Sequence, residues 1–180
     1  YKIMQQRMVA GFNVTCVGDN RAYSFLPSRD GNTLSDRVAK HVISCLDENY
    51  CEYGWSDRGS DERQYCAPGI DLPVSTVMRT KFGEFPEYHS SLDQFGTVVT
   101  AEGLQGGFEM VKLITEVLER NEYYKVKTLC EPNLGKHGLY PLVSTRKSKI
   151  QVQQTLDFIS YCDGNNSILD IADCLGIAFW

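Results

Sequence analysis

The chain has 180 residues, 42% of them hydrophobic, and a formal net charge of −5 at pH 7. This length suits one globular domain, or one domain with a small appendage. Acidic and basic residues are interspersed, which argues against a nucleic-acid-binding surface. No run approaches the ~18 apolar residues of a membrane span. The first residue is Tyr and the last five, "GIAFW", are mostly apolar, so we expect a piece of a longer protein.

The cysteines do not follow a metal or disulfide pattern. There are seven, an odd number, and none form a CxxC pair. Several lie in apolar stretches, where cysteine behaves as a small hydrophobic residue. Unpaired cysteines favour a reducing compartment, so we expect a cytoplasmic location. A catalytic cysteine, with Cys66 as the candidate, is the alternative.

The first half of the chain predicts alternating strands and helices. The apolar run "RMVAGFNVTCVGD", residues 7–19, predicts a buried strand with Asp19 at its carboxyl end. "AYSFLPSRDGN", residues 22–32, carries turn signals and predicts a loop. The following stretch predicts a helix with a capping box of Thr33 and Asp36, and "YCEYGW" predicts a short strand.

Further along, "VSTVMRT" predicts another strand and residues 102–120 predict an amphipathic helix, with Leu113, Val117 and Leu118 on its apolar side. This order is typical of a three-layer α/β/α domain with a mixed sheet. Residues 146–180 predict a second unit, in which two helices flank an Asp-Gly-Asn-Asn turn. We therefore expect a first domain over 1–145 and the start of a winged-helix module over 146–180.

Among the three histidines, His89 is the candidate for chemistry. His41 lies within a predicted helix and His137 lies in a glycine-flanked loop, so both are interpreted as structural or exposed. His89 lies in a loop after a strand, where α/β folds place ligands. Glu87 and Asp93 are near it in sequence, and a metal-bound imidazole often donates its other N–H to a carboxylate.

Two other polar segments complete the candidate site. Asp19 follows a glycine at a strand end and would point into the crevice above the sheet, although a turn aspartate is an equal alternative. The segment Ser60, Asp61, Glu62 and Arg63 lies in a charged loop. It is either solvated or helps to orient metal ligands.

Taken in order, these motifs resemble the C-terminal half of the co-catalytic dizinc aminopeptidases. The similarity is carried by "VTCVGD", "GSDERQYCAPGIDLPV", "FPEYHSSLD" and "CEPNLGKHGLYP". It is closest to a bacterial aminopeptidase-like subfamily that has a C-terminal winged helix and is often linked to polysaccharide biosynthesis. The stretch "DFISYCDGNNSILDIADCLGI" is similar to the start of that winged helix.

The resemblance implies a role for each site residue. Asp19 and His89 would each bind one of two zinc ions, while Ser60, Asp61, Glu62, Arg63, Tyr88 and Asp93 would support the ligands or contact substrate. Glu62 departs from the family pattern, which has histidine at that position. The family's other ligands and its general base precede the strand that carries Asp19, so we expect them outside this chain.

The resulting hypothesis is a zinc-dependent aminopeptidase-like hydrolase of peptide or amide bonds, possessing two metal ions when intact. We expect this chain alone to bind metal weakly and to be inactive. The alternatives are a non-catalytic scaffold protein in surface polysaccharide biosynthesis and an amidohydrolase of an amino-sugar intermediate. A DNA-binding regulator is disfavoured by charge. No membrane partner is expected, and self-association is left open.

Overall fold

The computed structural model describes residues 1–140 and 146–180, and these form two compact units, Tyr1–Leu118 and Glu119–Trp180. The domain boundary predicted at residue 145 lies outside the described residues. Within the second unit, a strand at 123–125 pairs with a strand at 163–167. No helix in the described parts of the chain is both long and apolar enough to cross a membrane.

A four-stranded mixed sheet forms the centre of the first unit. Its order is β1-β4-β2-β3, in which β1 and β4 are parallel, β4 and β2 antiparallel, and β2 and β3 parallel. The mixed α/β class that the sequence predicts is confirmed. The strands are β1 (Gly11–Val14), β2 (Ser24–Leu26), β3 (Cys51–Glu52) and β4 (Val74–Met78).

Strand β2 corrects the sequence interpretation. Residues 22–32 were predicted to be a loop, but Ser24–Leu26 is a fully buried strand between β4 and β3. Only three residues pair, and proline follows them directly, so the segment has no periodic signal of its own. Its extended conformation comes from pairing with strands that are distant in sequence.

Four helices belong to the first unit. The capping box of α2 forms as predicted, since Thr33 accepts from the Asp36 N–H and the Asp36 side chain accepts from Thr33. Helix α2 packs on β2 and β4, and α3 packs on β4. The helices are α1 (Lys2–Arg7), α2 (Leu34–Leu46), α3 (Glu62–Tyr65) and α4 (Ala101–Arg120), the last of which continues to the second unit.

Helix α4 approaches the end of β1 through glycines. A Cβ at Gly103 would overlap the Gly18 carbonyl oxygen, and one at Gly107 would overlap the Val17 carbonyl oxygen. Thr100 also donates its N–H to the Gly18 carbonyl at 2.9 Å. The buried face of α4 is Gly103, Gly107, Met110, Ile114 and Val117. Of the three residues predicted on this face, Val117 is buried and Leu113 and Leu118 are half-buried.

The second unit contains a two-stranded antiparallel sheet and two helices. The predicted Asp-Gly-Asn-Asn turn is strand β6 (Asp163–Ser167), which pairs with β5 (Tyr123–Lys125). The two predicted helices are present as α5 (Arg146–Ser160) and α6 (Ile168–Leu175). Ser167 and Asp170 form a capping box at the start of α6.

Candidate metal centre

The candidate site lies at the carboxyl edge of the sheet in the first unit. Because β1 and β4 are parallel, the chain leaves both strands at the same edge. Strand β1 ends earlier than predicted, at Val14, and Cys16 then adopts a positive φ of 49°. The Cys16 carbonyl still accepts the Arg79 N–H at 3.0 Å. This bond keeps the two exit segments side by side.

Asp19 is held firmly at this edge. Its Oδ1 accepts from the Arg21 N–H at 2.9 Å and from the Thr80 hydroxyl at 2.6 Å, while its Oδ2 accepts from the Thr80 N–H at 2.9 Å. Arg79 donates its Nε to the Asp19 carbonyl at 2.9 Å. Asp19 is 4% exposed, so its carboxylate is oriented before any ligand arrives.

The loop that carries His89 is tied to the same segment. Arg21 donates Nη1 and Nη2 to the two carboxylate oxygens of Glu87, both at 2.9 Å. These hydrogen bonds hold the pKa of the Glu87 carboxyl below its ordinary value. The Arg21 guanidinium also lies 5.9 Å from the centre of the Phe85 ring. Arg21 therefore contacts two residues of the His89 loop.

His89 itself is exposed and has an uncommon backbone conformation. Its φ is +55°, which is uncommon for a residue with a side chain, although histidine adopts it more readily than most residues. Its ring stacks on Tyr88 with centroids 4.0 Å apart, and Tyr88 meets Phe85 edge to face at 5.5 Å. The imidazole nitrogens accept or donate no hydrogen bond within the described residues.

Asp93 is close enough to Cys16 for its charge to act on that thiol. Burial raises the pKa of the Cys16 thiol, a hydrogen bond from Thr15 opposes this, and the charges of Asp93 and Asp19 raise it further. Asp93 is exposed. Arg21 and Glu87 thus join the Asp19 segment to the loop that carries Tyr88 and His89.

Glu62 has a different role from the one that the sequence left open. It is fully buried and accepts from the Gly59 and Ser60 N–H groups at 2.7 and 2.9 Å. Its other oxygen accepts from Asn13 on β1 at 2.8 Å and from Thr76 on β4 at 3.2 Å. Burial alone would raise the pKa of Glu62, but the backbone hydrogen bonds and the Thr76 hydroxyl outweigh it and lower the pKa. Glu62 therefore braces two strands and does not face a substrate.

The remaining residues of the segment 60–63 lie at or near the surface. Asp61 is exposed and its side chain does not cap α3. Arg63 is exposed, and its Nε donates to the Ser60 carbonyl at 3.1 Å. Ser60, which is half-buried, joins the Glu62 brace through its N–H.

The other candidates take structural positions. His41 is 5% exposed within α2, and His137 is exposed in the short 3-10 helix Leu134–His137. Cys66 is 1% exposed, and burial raises the pKa of its thiol. It donates to the Leu72 and Val74 carbonyls. A nucleophilic role for Cys66 has no support from this geometry, because a nucleophile needs access and a thiolate.

The sequence interpretation did not include Arg21 or Thr80, which orient the site most directly. Arg21 and Glu87 are 66 residues apart, and Thr80 and Asp19 are 61 apart. A single sequence holds no signal for such contacts. The one local signal was the spacing from Asp19 to Arg21, which is typical of an aspartate turn.

The mixed sheet with its packed helices, followed by a small unit of two helices and a two-stranded sheet, defines an α/β domain of the peptidase-like fold class followed by a winged helix. Residues 2–121 match the family described as "Domain of unknown function (DUF4910)", and the chain belongs to this family. Residues 121–180 match the family described as "winged helix-turn-helix".

Two relatives from Clostridium acetobutylicum are similar to this chain. One is provisionally named a polysaccharide biosynthesis protein with an aminopeptidase-like domain, and is 31% identical over 171 residues. The other is a crystal structure provisionally named a peptidase, which superposes with a TM-score of 0.84 at 28% identity. They cover 94% and 99% of this chain, whereas the chain spans 39% of the length of each.

Proposed function

We propose that this chain is part of an aminopeptidase-like hydrolase that uses two zinc ions to cleave a peptide or amide bond. The observation that supports this most is the convergence of two segments distant in sequence. Asp19 follows β1, His89 lies in the loop that follows β4, and Arg21 with Glu87 joins the two. The relatives' names agree with the hydrolase class.

The donor types fit zinc. The Asp19 carboxylate has room for about four acceptor contacts and uses three, two on Oδ1 and one on Oδ2. A lone pair on Oδ2 is therefore left for a cation. His89 offers an exposed imidazole, and carboxylate oxygen with imidazole nitrogen is a common zinc ligand set.

The described residues contain no group of three or more His, Cys, Asp or Glu side chains placed to hold a metal ion. Zinc normally takes at least three protein ligands. A zinc site built on Asp19 and His89 therefore needs further ligands from outside the described residues.

A zinc ion held by these residues would supply Lewis-acid activation of a scissile carbonyl and of water. The residues of this chain supply the setting for that chemistry. Asp19 brings a negative charge whose direction is fixed by Thr80 and Arg21. His89 brings an imidazole nitrogen, and stacking on the Tyr88 ring restricts the rotation of its side chain.

The test is an aminopeptidase assay of the full-length protein with a panel of aminoacyl substrates. We expect activity that a chelator abolishes and added zinc restores. Asp19→Asn should lower kcat/KM by at least about tenfold, since ligand-shell changes cost 10–100-fold in affinity or activity. Glu48→Gln, at an exposed carboxylate of the same unit with no role in the proposed site, is the control and should stay active. Activity that is insensitive to the chelator would contradict the proposal.

A non-catalytic scaffold in polysaccharide biosynthesis is the second candidate. It is favoured by the incomplete ligand set in the described residues and by the name of one relative. The full-length protein would then retain no zinc and hydrolyse no aminoacyl substrate. An amino-sugar amide is a further substrate class, because the same chemistry would cleave it, and a panel that includes N-acylated amino sugars separates it from peptides.

Nucleic acid is not proposed as a partner. The segment 119–180 carries as many Asp and Glu residues as Lys and Arg residues, whereas phosphate binding needs clustered positive charge. Two members of the only basic cluster that the sequence suggested, Arg146 and Lys147, have side chains outside the described residues. A protein-interaction role for the winged helix fits this charge balance better, and sedimentation of the full-length protein would measure its self-association.

A further inference from the structure

We infer that Arg21 is a positioning residue of the proposed metal site. By bonding to the segments that carry Asp19 and His89, Arg21 sets the separation of these two residues. The inference rests on the proposed function. Arg21 contacts the Asp19 carboxylate through its backbone N–H and the His89 loop through its guanidinium. One residue therefore spans the two ligand segments.

The hydrogen bonds from Arg21 to Glu87 affect His89 through a tight turn. Ser90 donates its N–H to the Glu87 carbonyl at 3.0 Å, which closes a four-residue turn over 87–90. His89 is the third residue of that turn, the position that takes a positive φ in type II turns. Ser90 also donates its hydroxyl to the Glu87 carbonyl at 2.7 Å. Fixing Glu87 therefore fixes the turn that presents the imidazole.

A second contact runs through the aromatic side chains of the loop. Arg21 lies over Phe85, Phe85 meets Tyr88 edge to face, and Tyr88 stacks on the His89 ring. A cation over an aromatic face and an aromatic pair are each modestly favourable. The stack thus orients the imidazole ring, while the turn places its backbone.

The Arg21 pair differs in geometry from another surface pair in the same unit. Arg21 bonds both oxygens of Glu87, and such two-point pairing fixes direction as well as distance. Arg29 places both of its contacts on one oxygen of Asp71. Both pairs are partly exposed, so neither is expected to contribute much to global stability. Arg29 therefore provides a matched control for a lost surface pair.

The first experiment uses the 180-residue chain without metal and measures backbone ¹⁵N relaxation. In the wild type we expect order parameters near the rigid value of roughly 0.85 at residues 87–90. Arg21→Ala should lower them toward the flexible range, below about 0.6. Arg29→Ala should leave them unchanged. Arg21→Lys, which retains charge but not two-point bonding, should give intermediate values.

The second experiment measures the zinc affinity of the full-length protein. Arg21→Ala should weaken it about tenfold, the lower end for residues that orient ligands. The exchange Arg21→Glu with Glu87→Arg should recover most of the loss because it restores the pair. Arg29→Ala should have no effect.

Unchanged order parameters in Arg21→Ala, or unchanged zinc affinity, would overturn the inference. Failure of the charge exchange to recover affinity would do the same. If the wild type binds no zinc but the loop still loosens in Arg21→Ala, the proposed function is wrong and Arg21 only orders a surface loop. The relaxation measurement thus separates the two failures.

Discussion

The two proposed ligands are held in opposite ways. Asp19 is buried, with both oxygens bonded by groups from its own segment and from the end of β4. His89 is exposed, lies in a turn with positive φ, and depends on a surface ion pair for its position. Asp19 is therefore fixed by the core of the first unit, whereas His89 is fixed only by contacts within and near its loop. Changes to the two halves should therefore have separable effects on stability and on metal binding.

The largest effect is expected where α4 meets the segment that carries Asp19. Gly103→Ala places a methyl group onto the Gly18 carbonyl, so backbone must move. Overpacking destabilises by about 3 kcal/mol, and the higher helix propensity of alanine offsets about 1 kcal/mol of this. We therefore expect the free energy of unfolding to fall by about 2 kcal/mol, measured by urea denaturation.

Gly106→Ala is the control for that change. A Cβ there meets the ends of the Tyr23 and Arg79 side chains and not backbone. These atoms can shift, so the stability should stay within about 1 kcal/mol of the wild type. Equal losses in the two variants would show that the Gly18 carbonyl does not limit the space at residue 103.

A smaller effect is expected for the Asp19 carboxylate itself. Thr80→Val keeps the shape of the side chain but removes the hydroxyl that donates to Oδ1 at 2.6 Å. Hydrogen bonds to charged groups contribute about 1.5–3 kcal/mol. We therefore expect the free energy of unfolding, measured by urea denaturation, to fall by about 1.5 kcal/mol. Thr115→Val, which removes an exposed hydroxyl bonded within α4, should change stability little. The account of Asp19 fails if the two variants are alike.

The smallest stability effect is expected for Glu62, and it should depend on pH. The folded-state pKa of Glu62 lies below its ordinary value of 4.5. Glu62 therefore contributes stability above that value, and the contribution is lost as pH falls through the folded pKa. Glu62→Gln keeps an acceptor for the Gly59 and Ser60 N–H groups, so we expect a loss of about 1 kcal/mol at neutral pH.

Urea denaturation across a pH series tests this prediction. The gap between wild type and Glu62→Gln should be largest at neutral pH and should narrow in acid. Glu109→Gln, at an exposed position of α4, is the control and should show no such trend. A gap that widens as pH falls would mean that the sign of the Glu62 contribution is reversed.

The sequence was informative where local chemistry decides the structure. The capping box of Thr33 and Asp36 and the apolar run of β4 predicted α2 and β4 directly, because their signals lie within one turn or one strand. It also singled out Asp19 and His89 as polar residues after strands. Strand β2 was missed because its conformation comes from its neighbours in the sheet.

What could not be predicted depends on contacts between distant residues. Glu62 lies in a charged stretch, which predicts an exposed side chain. Hydrogen bonds from Asn13 on β1 and Thr76 on β4 offset the cost of burying its carboxylate. The pairing of Arg21 with Glu87 needs the loop to fold back over the sheet edge. Neither contact leaves a pattern of spacing in the chain.

The central claim is tested most directly by the zinc content of the full-length protein after purification and dialysis. The wild type should retain zinc, His89→Ala should lose most of it, and His137→Ala, at an exposed histidine of the other unit, should retain the wild-type amount. Equal zinc content in the wild type and His89→Ala would contradict the assignment of His89 and, with it, the proposal that the two segments form one metal site.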